Sequence, residues 1–127
     1  MGGDAGLRIE LFPADLDRFI AFYVQTLHFD VLVDQRDAPV PYVHVQRGRA
    51  RIGAVQTQDA VDSGLRSVPQ GVEIVIEVND LEAERDALIA AGYQLAEDVR
   101  DQPWGLRDFR IFDPDGYYLR FTTTRSG

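Results

Sequence analysis

The sequence predicts an α+β fold in which one chain carries two copies of a βαβββ module. Three observations favour this fold. Residues 7–33 and 72–95 show the same order of alternating strand, acidic helix cap, apolar helical stripe and second strand. A β-hairpin pattern follows each copy. The second hairpin contains Asp-Pro-Asp-Gly at residues 113–116, which is a strong turn sequence because proline presets φ and glycine accepts a positive φ.

The first module opens with residues 7–12, Leu-Arg-Ile-Glu-Leu-Phe, whose alternation is typical of a half-buried strand. Pro13 ends this strand, and Asp15 is the predicted N-cap of the helix that follows. His28 occupies the last turn of that helix, where the helix dipole favours a cation, and residues 29–33 predict the next strand. The helix carries an apolar stripe made of Leu16, Phe19, Ile20, Phe22, Tyr23 and Leu27.

The second module repeats this order. Residues 72–78 alternate as a half-buried strand does, and Asn79 or Asp80 caps the helix behind it. Gly92 supplies a left-handed stop, after which residues 93–95 are expected to begin the next strand. The apolar positions of this second helix are Leu81, Leu88, Ile89 and Ala91.

Each module ends in a predicted hairpin. In the first module, residues 42–45 and 51–55 are the expected strands, joined by a turn at Arg-Gly-Arg. In the second module, residues 109–112 and 117–122 flank the Asp-Pro-Asp-Gly turn. The two modules therefore share the order strand, helix, strand, strand, strand.

We expect one domain over residues 1–127, with the first module at 7–55 and the second at 72–123. Residues 56–71 form a polar connector between them. The connector is long enough for the two modules to pair within one chain or to swap between two chains, and the sequence leaves both arrangements open.

Composition limits the possible functions. The 127 residues are 45% apolar but contain no run long enough to span a membrane, so no membrane partner is expected. The net charge of −8 disfavours nucleic acid as a partner and makes a cationic or neutral small molecule easier to accept. The chain has no cysteine, and its first residues lack the pattern of a signal peptide, which favours a bacterial cytoplasmic location.

Strand alternation predicts which side chains lie on the face of each sheet that points away from the helix. This face combines arginines, glutamates and aromatic rings, a mixture that can stack flat ligands and bind their polar groups. Its expected members are Arg8, Glu10, Phe12, Tyr42, His44, Glu73, Glu77, Arg110, Phe112, Tyr118 and Arg120. The alternative is that the arginines and glutamates pair as a salt-bridge network across the sheet.

Two further side chains have competing interpretations. Trp104, in the loop before the last hairpin, is either a stacking wall for a ligand or part of the core or of a dimer interface. His44 is either a structural residue that makes hydrogen bonds or a catalytic base.

The Asp-Leu-Asp-Arg-x-x-x-Phe-Tyr motif at residues 15–23, together with Trp-Gly at 104–105 and the turn at 113–116, resembles the vicinal oxygen chelate superfamily. This superfamily contains glyoxalase I, the bleomycin resistance proteins and the extradiol dioxygenases. The acidic balance and Gln-Pro-Trp-Gly at residues 102–105 most resemble the bleomycin resistance proteins. The resemblance implies two βαβββ modules whose mixed sheet curls around a cavity.

Metal enzymes of this superfamily place His, Gln or Glu ligands on the strands that face the cavity. Carried over by position, these ligands fall on Arg8, on Gly53 or Ala54, on Glu73 and on Arg120. Only Glu73 is able to bind a divalent metal, because guanidinium is a permanent cation without a lone pair to donate. The resemblance therefore implies a protein with no metal site and no cofactor.

The favoured hypothesis is a non-catalytic protein that confers resistance by sequestering an aromatic, antibiotic-like small molecule. The expected form is a homodimer with clefts at the subunit interface. No catalytic residue is assigned. The predicted ligand-binding residues are Trp104, Tyr42, His44, Phe112, Tyr118, Arg8, Glu73, Arg110 and Arg120.

The alternative hypothesis is an enzyme of the glyoxalase/dioxygenase group, acting as a lyase, isomerase or oxygenase. It would work without a metal or use a metal site that the sequence does not reveal. His44 with Glu73 or Glu10 would then be the acid–base set.

Overall fold

The computed structural model describes residues 5–56, 66, 68–103 and 105–123, and within them both predicted βαβββ modules are present. The first module consists of β1 (Ile9–Leu11), α1 (Leu16–Ile20), β2 (Asp30–Gln35), β3 (Tyr42–Arg47) and β4 (Ala50–Val55). The second consists of β5 (Ile74–Val78), α2 (Leu81–Ala90), β6 (Glu97–Asp101), β7 (Arg107–Phe112) and β8 (Tyr118–Thr123). Trp104 and most of the predicted connector lie outside the described residues.

The two modules have the same topology. The first sheet has the strand order β1-β4-β3-β2, and the second has the matching order β5-β8-β7-β6. In each sheet the module's first strand runs parallel to its last, while the other neighbours are antiparallel. The predicted α+β fold with two βαβββ modules is confirmed, with one four-stranded mixed sheet in each module.

The chain divides into two compact units between Asp62 and Ser63, inside the predicted connector. Each unit contains one module. Whether the two units form a single domain, and whether they pair within a chain or swap, stays a prediction. Within the described residues, neither helix is long and apolar enough to cross a membrane.

The first helix changes its winding partway along. Asp15 caps α1 as predicted, because its carboxylate accepts a hydrogen bond of 2.9 Å from the Asp17 amide. From Ala21 to Thr26 the helix continues with π winding, a widening that the apolar periodicity does not indicate. The Thr26 hydroxyl donates to the Ala21 carbonyl at 3.1 Å, and so it supports the wider turn.

The cores follow the predicted alternation on the inner strands of each sheet, where the apolar side chains on the helix-facing side are buried. The edge strands β2 and β6 have no buried residue. Not every apolar position of α2 lies in the core: Ile89 is 50% exposed, because α2 buries Leu81 and Leu88 and turns Ile89 away. The fully buried large side chains are Phe19, Phe22, Tyr23, Leu27, Phe29 and Val43 in the first unit and Leu81, Leu88, Phe109, Ile111, Leu119 and Phe121 in the second.

Most strands begin one or two residues from the predicted start, and the starts of β6 and β7 bear on the site. β6 starts at Glu97 instead of residue 93, because the Tyr93 amide still closes the helix by donating to the Leu88 carbonyl at 3.0 Å. β7 starts at Arg107 instead of residue 109, which brings Asp108 into the sheet.

The Asp-Pro-Asp-Gly turn forms as predicted. The Asp113 carboxylate accepts hydrogen bonds of 2.9 Å from the amides of Asp115 and Tyr117, and Gly116 has a φ of 85°. Arg66 of the connector also contacts this turn: its guanidinium donates to the Asp115 carbonyl at 2.6 Å and lies 4.1 Å from the centre of the Tyr117 ring. The turn therefore anchors the end of the connector to the second module.

Both helices end on a residue with left-handed backbone geometry. Gly92 has a φ of 92°, as predicted, and His28 holds the equivalent place with a φ of 62°. A side chain in this region costs about 1 kcal/mol or more, whereas glycine adopts it freely. The structure therefore predicts that His28→Gly raises the free energy of unfolding by about 0.5–1 kcal/mol, as measured by urea denaturation.

Gly92→Ala is the matched control at the other helix end. It is expected to lower the free energy of unfolding by about 1 kcal/mol, because a Cβ there meets no atom within 4 Å and only the backbone is strained. Equal signs for the two substitutions would contradict the assignment of strain to His28.

Candidate functional site

A charged and aromatic face covers one side of the second sheet. Register places Val75, Arg120, Arg110 and Glu97 side by side across all four strands. The neighbouring row contains the pair of Phe112 and Tyr118, and Glu73 lies just before β5 at the same end. We call Glu73, Asp108, Arg110, Phe112, Tyr118 and Arg120 the arginine face. Alternation thus brings together five of the predicted site residues, and their role in binding stays a prediction.

Glu73 joins the two arginines of this face. Its carboxylate contacts the Arg120 guanidinium at 2.9 Å and approaches a terminal nitrogen of Arg110 at 3.9 Å. The side chain of Glu73 is 38% exposed, whereas those of Arg110 and Arg120 are mostly buried. A salt-bridge network across the sheet, the alternative that the sequence left open, is therefore present. Glu73 is its most exposed member.

Asp108 lies beneath the two arginines and is the site residue that sequence reasoning missed. Only 1% of it is exposed. One carboxylate oxygen accepts a hydrogen bond of 2.8 Å from the Gln102 side chain, and the other lies 3.7 Å from Arg110 and 4.0 Å from Arg120. The signal that could have found it is its position two residues before Arg110, which places both side chains on one face.

Among the residues that the structure describes, Arg110 has few hydrogen-bond acceptors. Its shortest contact with them is to the Tyr118 hydroxyl at 3.4 Å, which is longer than an ordinary hydrogen bond of about 2.7–3.2 Å. This contact, followed by the charges of Asp108 and Glu73, raises the pKa of Arg110, while burial acts in the opposite direction. Arg110 therefore stays a cation.

Two aromatic rings border the arginines. The rings of Phe112 and Tyr118 lie 5.0 Å apart and are inclined by 53°. Phe112 is partly exposed, and the guanidinium carbon of Arg110 lies 5.9 Å from the centre of the Tyr118 ring. A ring system bound here would contact both an apolar surface and a cation.

The matching face of the first sheet is built differently. Glu10, Gly53 and His44 form one row across β1, β4 and β3. The Glu10 carboxylate lies over Gly53, since a Cβ at this glycine would be 2.6 Å from one carboxylate oxygen. Arg8 pairs with the same carboxylate at 2.6 Å. Among the described residues no hydrogen bond reaches the buried Nε2 of His44.

The remaining predicted residues of the first module lie on this same side. Tyr42 is half-buried and pairs with Val55, two residues beyond Gly53, and Phe12 is partly exposed. Ala54 points into the core, so Gly53 is the one of the two candidate ligand positions that shares a face with His44.

The positions carried over from the metal enzymes do not fit a divalent metal. The pair Ile9–Ile52 of the first sheet corresponds to the pair Ile74–Leu119 of the second. Arg8 is therefore equivalent to Glu73, one residue before the first strand's isoleucine. Gly53 is equivalent to Arg120, one residue further along the last strand. The carboxylate of this set is bound to a guanidinium, and the glycine has no donor atom. No group of three or more metal-binding side chains occurs in the described part of the chain.

A cavity of about 520 Å³ lies elsewhere in the first unit, beside the start of α1. Its polar lining comes from Asp15, Asp17, Asp34, Arg36, Asp37 and Gln56. Arg36 donates to Asp34 at 2.7 Å and to Asp17 at 3.2 Å, and its hydrogen bonds lower the pKa of Asp34. Asp15 and Gln56 accept hydrogen bonds from amides at the start of α1. None of the predicted binding residues that the structure describes lines this cavity.

Solved structures with the same fold include proteins named for resistance and antibiotic binding. A bleomycin resistance determinant encoded on the transposon Tn5 is 19% identical, with a TM-score of 0.76 over 96% of this chain and 99% of that one. TnmS3, an antibiotic binding protein from Streptomyces sp. CB03234, is 20% identical, with a TM-score of 0.75 over 98% of this chain and 99% of that one. TioX from Micromonospora sp. ML1 is 22% identical, with a TM-score of 0.75 over 94% of this chain and 98% of that one.

No curated protein sequence matches the chain. The three structures share too little identity to show more than the fold. The sequence profile of the Glyoxalase/Bleomycin resistance protein/Dioxygenase superfamily matches residues 7–121, which is most of the chain and includes both modules. The chain therefore belongs to the glyoxalase/bleomycin resistance protein/dioxygenase superfamily.

Proposed function

We propose that this chain is a non-catalytic binding protein that sequesters an aromatic, antibiotic-like small molecule. The observation that carries the proposal is the ion pair of 2.9 Å between Arg120 and Glu73. A metal enzyme of the superfamily needs donor atoms at these two positions. Here the only carboxylate of the set is occupied by an arginine, and the face that results is suited to reversible binding.

The proposed mechanism is equilibrium binding on the arginine face. The partly exposed ring of Phe112 and its neighbour Tyr118 offer a surface for a flat ring system. Arg110 and Arg120 would orient the ligand's polar groups, with buried Asp108 keeping both guanidinium groups in place. Trp104 as a stacking wall, a homodimer and a cytoplasmic location are further parts of the proposal.

The similarity to named antibiotic-binding structures supports the ligand class. The bleomycin resistance determinant and TnmS3 have the same fold along nearly their whole length. Since their identity to this chain is low, the support concerns the kind of ligand only.

Binding of aromatic molecules is testable by calorimetry and by the fluorescence of Trp104, the single tryptophan. Metal-free bleomycin, ethidium and 2-naphthoate form a suitable panel. At least one is expected to release heat and quench the fluorescence. Tyr118→Ala should weaken that binding by about 5- to 10-fold, because one aromatic contact is removed.

Ile89→Ala is the matched control, since this half-exposed side chain lies on α2, on the other side of the sheet. It should leave the affinity unchanged. Absence of heat and quenching across the whole panel would overturn the proposed function.

The row of Glu10, Gly53 and His44 favours a second candidate, a metal-independent proton-transfer enzyme. Gly53 has no side chain, which leaves room for the Glu10 carboxylate above it. The Glu10 carboxylate and the His44 imidazole therefore lie on either side of Gly53, on the same face of the sheet. Such an enzyme would exchange the proton next to the carbonyl group of a small substrate.

Deuterium exchange in heavy water tests this candidate. Small 2-oxo acids and 2-hydroxy ketones would be followed by NMR with the native protein and with His44→Gln. Exchange that depends on His44 would favour the enzyme, and exchange no faster than in buffer would exclude it for these substrates.

A further inference from the structure

Arg110 carries more hydrogen-bonding capacity than the described residues satisfy. Its guanidinium has five N–H donors, and only 18% of the side chain is exposed. The contacts of its terminal nitrogens are 3.4 Å to Tyr118, 3.7 Å to Asp108 and 3.9 Å to Glu73. In the described part of the chain, Nε has no hydrogen-bond acceptor at all. A mostly buried cation whose terminal nitrogens lack close acceptors is costly unless another acceptor reaches them.

The missing acceptor would enter from the side of Glu73 and Tyr118. Asp108 closes the site from below, because it is buried and bound to Gln102. The Nη1 atom of Arg110 faces Tyr118 and the partly exposed Glu73, so it is the nitrogen that an incoming group can reach. Both neighbours are too distant to give it a strong hydrogen bond.

We propose that Arg110 selects ligands whose aromatic ring carries an oxyanion, with an aryl carboxylate as the simplest case. Tyr118 contacts Arg110 through its hydroxyl and Phe112 through its ring. A carboxylate on Arg110 would therefore place its attached ring against Phe112 and Tyr118. A carboxylate oxygen forms a strong, charge-assisted hydrogen bond with guanidinium, and Nη1 is the nitrogen that it would reach. The inference rests on the proposed function and specifies the ligand class.

Glu73 then acts as an internal competitor for the same arginine. Its carboxylate is 3.9 Å from Arg110 but bound to Arg120 at 2.9 Å, so it lies beside the expected position of the ligand's oxyanion. The carboxylates of Glu73 and of the ligand would lie beside the same guanidinium and would repel each other. Removing the charge of Glu73 should therefore improve the binding of an anionic ligand.

The experiment compares 2-naphthoate with 2-naphthamide, which have the same ring system but differ in charge. Calorimetry should show naphthoate binding at least about 10-fold more tightly to the native protein. Arg110→Gln should abolish this preference for naphthoate over naphthamide. Glu73→Gln should increase the affinity for naphthoate by about 3- to 10-fold and widen the preference for it over naphthamide.

The outcomes separate this inference from the proposed function. Equal affinity for both compounds would overturn the role of Arg110 and leave aromatic binding standing. Binding of bleomycin or ethidium without either naphthalene compound would do the same, and binding of no compound would overturn both. If Arg110→Gln fails to fold, the Glu73→Gln result decides, and an unchanged or lower affinity for naphthoate would overturn the inference.

Discussion

Asp108→Ala is expected to lower the free energy of unfolding by about 3 kcal/mol. The carboxylate is almost completely buried and faces the guanidinium groups of both Arg110 and Arg120. Its removal would take a carboxylate away from two mostly buried guanidinium groups and leave the Gln102 side chain without its acceptor. Urea denaturation followed by circular dichroism measures the loss.

Asp108→Asn separates charge from shape, because the amide keeps the volume and can still accept from Gln102. Its cost should be smaller than that of alanine. Asp101→Ala is the surface control: this carboxylate also pairs with an arginine, Arg107, at 3.2 Å, but its side chain is 86% exposed. It should cost about 0.5 kcal/mol or less. A similar loss at both positions would show that burial of Asp108 has no energetic consequence.

Tyr23→Ala is expected to be the most damaging substitution in the first unit, with a loss of about 4 kcal/mol. Its ring is fully buried and contacts three others, with centroid distances of 4.5 Å to Phe19, 4.9 Å to Phe22 and 5.9 Å to Phe29. Truncation would open a large cavity where the π-helical segment packs on the sheet. Urea denaturation again measures the effect.

Val31→Ala provides the comparison for Tyr23. This side chain lies on β2 of the same unit but is partly exposed, so its truncation should cost less than about 1 kcal/mol. A loss at Tyr23 no greater than that at Val31 would contradict the assignment of this aromatic cluster as the core of the first unit.

Net charge and local charge point to different ligands in this protein. The overall charge of −8 led to the expectation of a cationic or neutral ligand. The arginine face, in contrast, presents a poorly satisfied cation beside two aromatic rings. A ligand group in direct contact with Arg110 would interact with it more strongly than with remote surface charges, whose field is screened by salt. The local arrangement therefore determines the proposed ligand class.

Much of the arginine face was predictable because strand alternation has a period of two. Once residues 109–112 and 117–122 were assigned to strands, Arg110 and Arg120 had to share a face. Asp108 was missed for a simple reason: the strand begins two residues earlier than its apolar pattern suggests. A buried carboxylate beside two arginines is stable in a sheet, but its hydrophilic side chain resembles a loop residue in sequence.

By itself, the sequence determined the two βαβββ modules, the cap at Asp15, the turn at residues 113–116 and the faces of the inner strands, and it narrowed the second cap to Asn79 or Asp80, of which the structure has Asp80. These features follow from local periodicity and from residues that favour one backbone geometry. Only the tertiary structure decided the π winding of the first helix, the position of Glu10 over Gly53 and the partners of Asp108. The position of Glu10 depends on the pairing of β1 with β4, and the partners of Asp108 depend on the pairing of β7 with β8. At these positions packing and buried charge outweigh local preference.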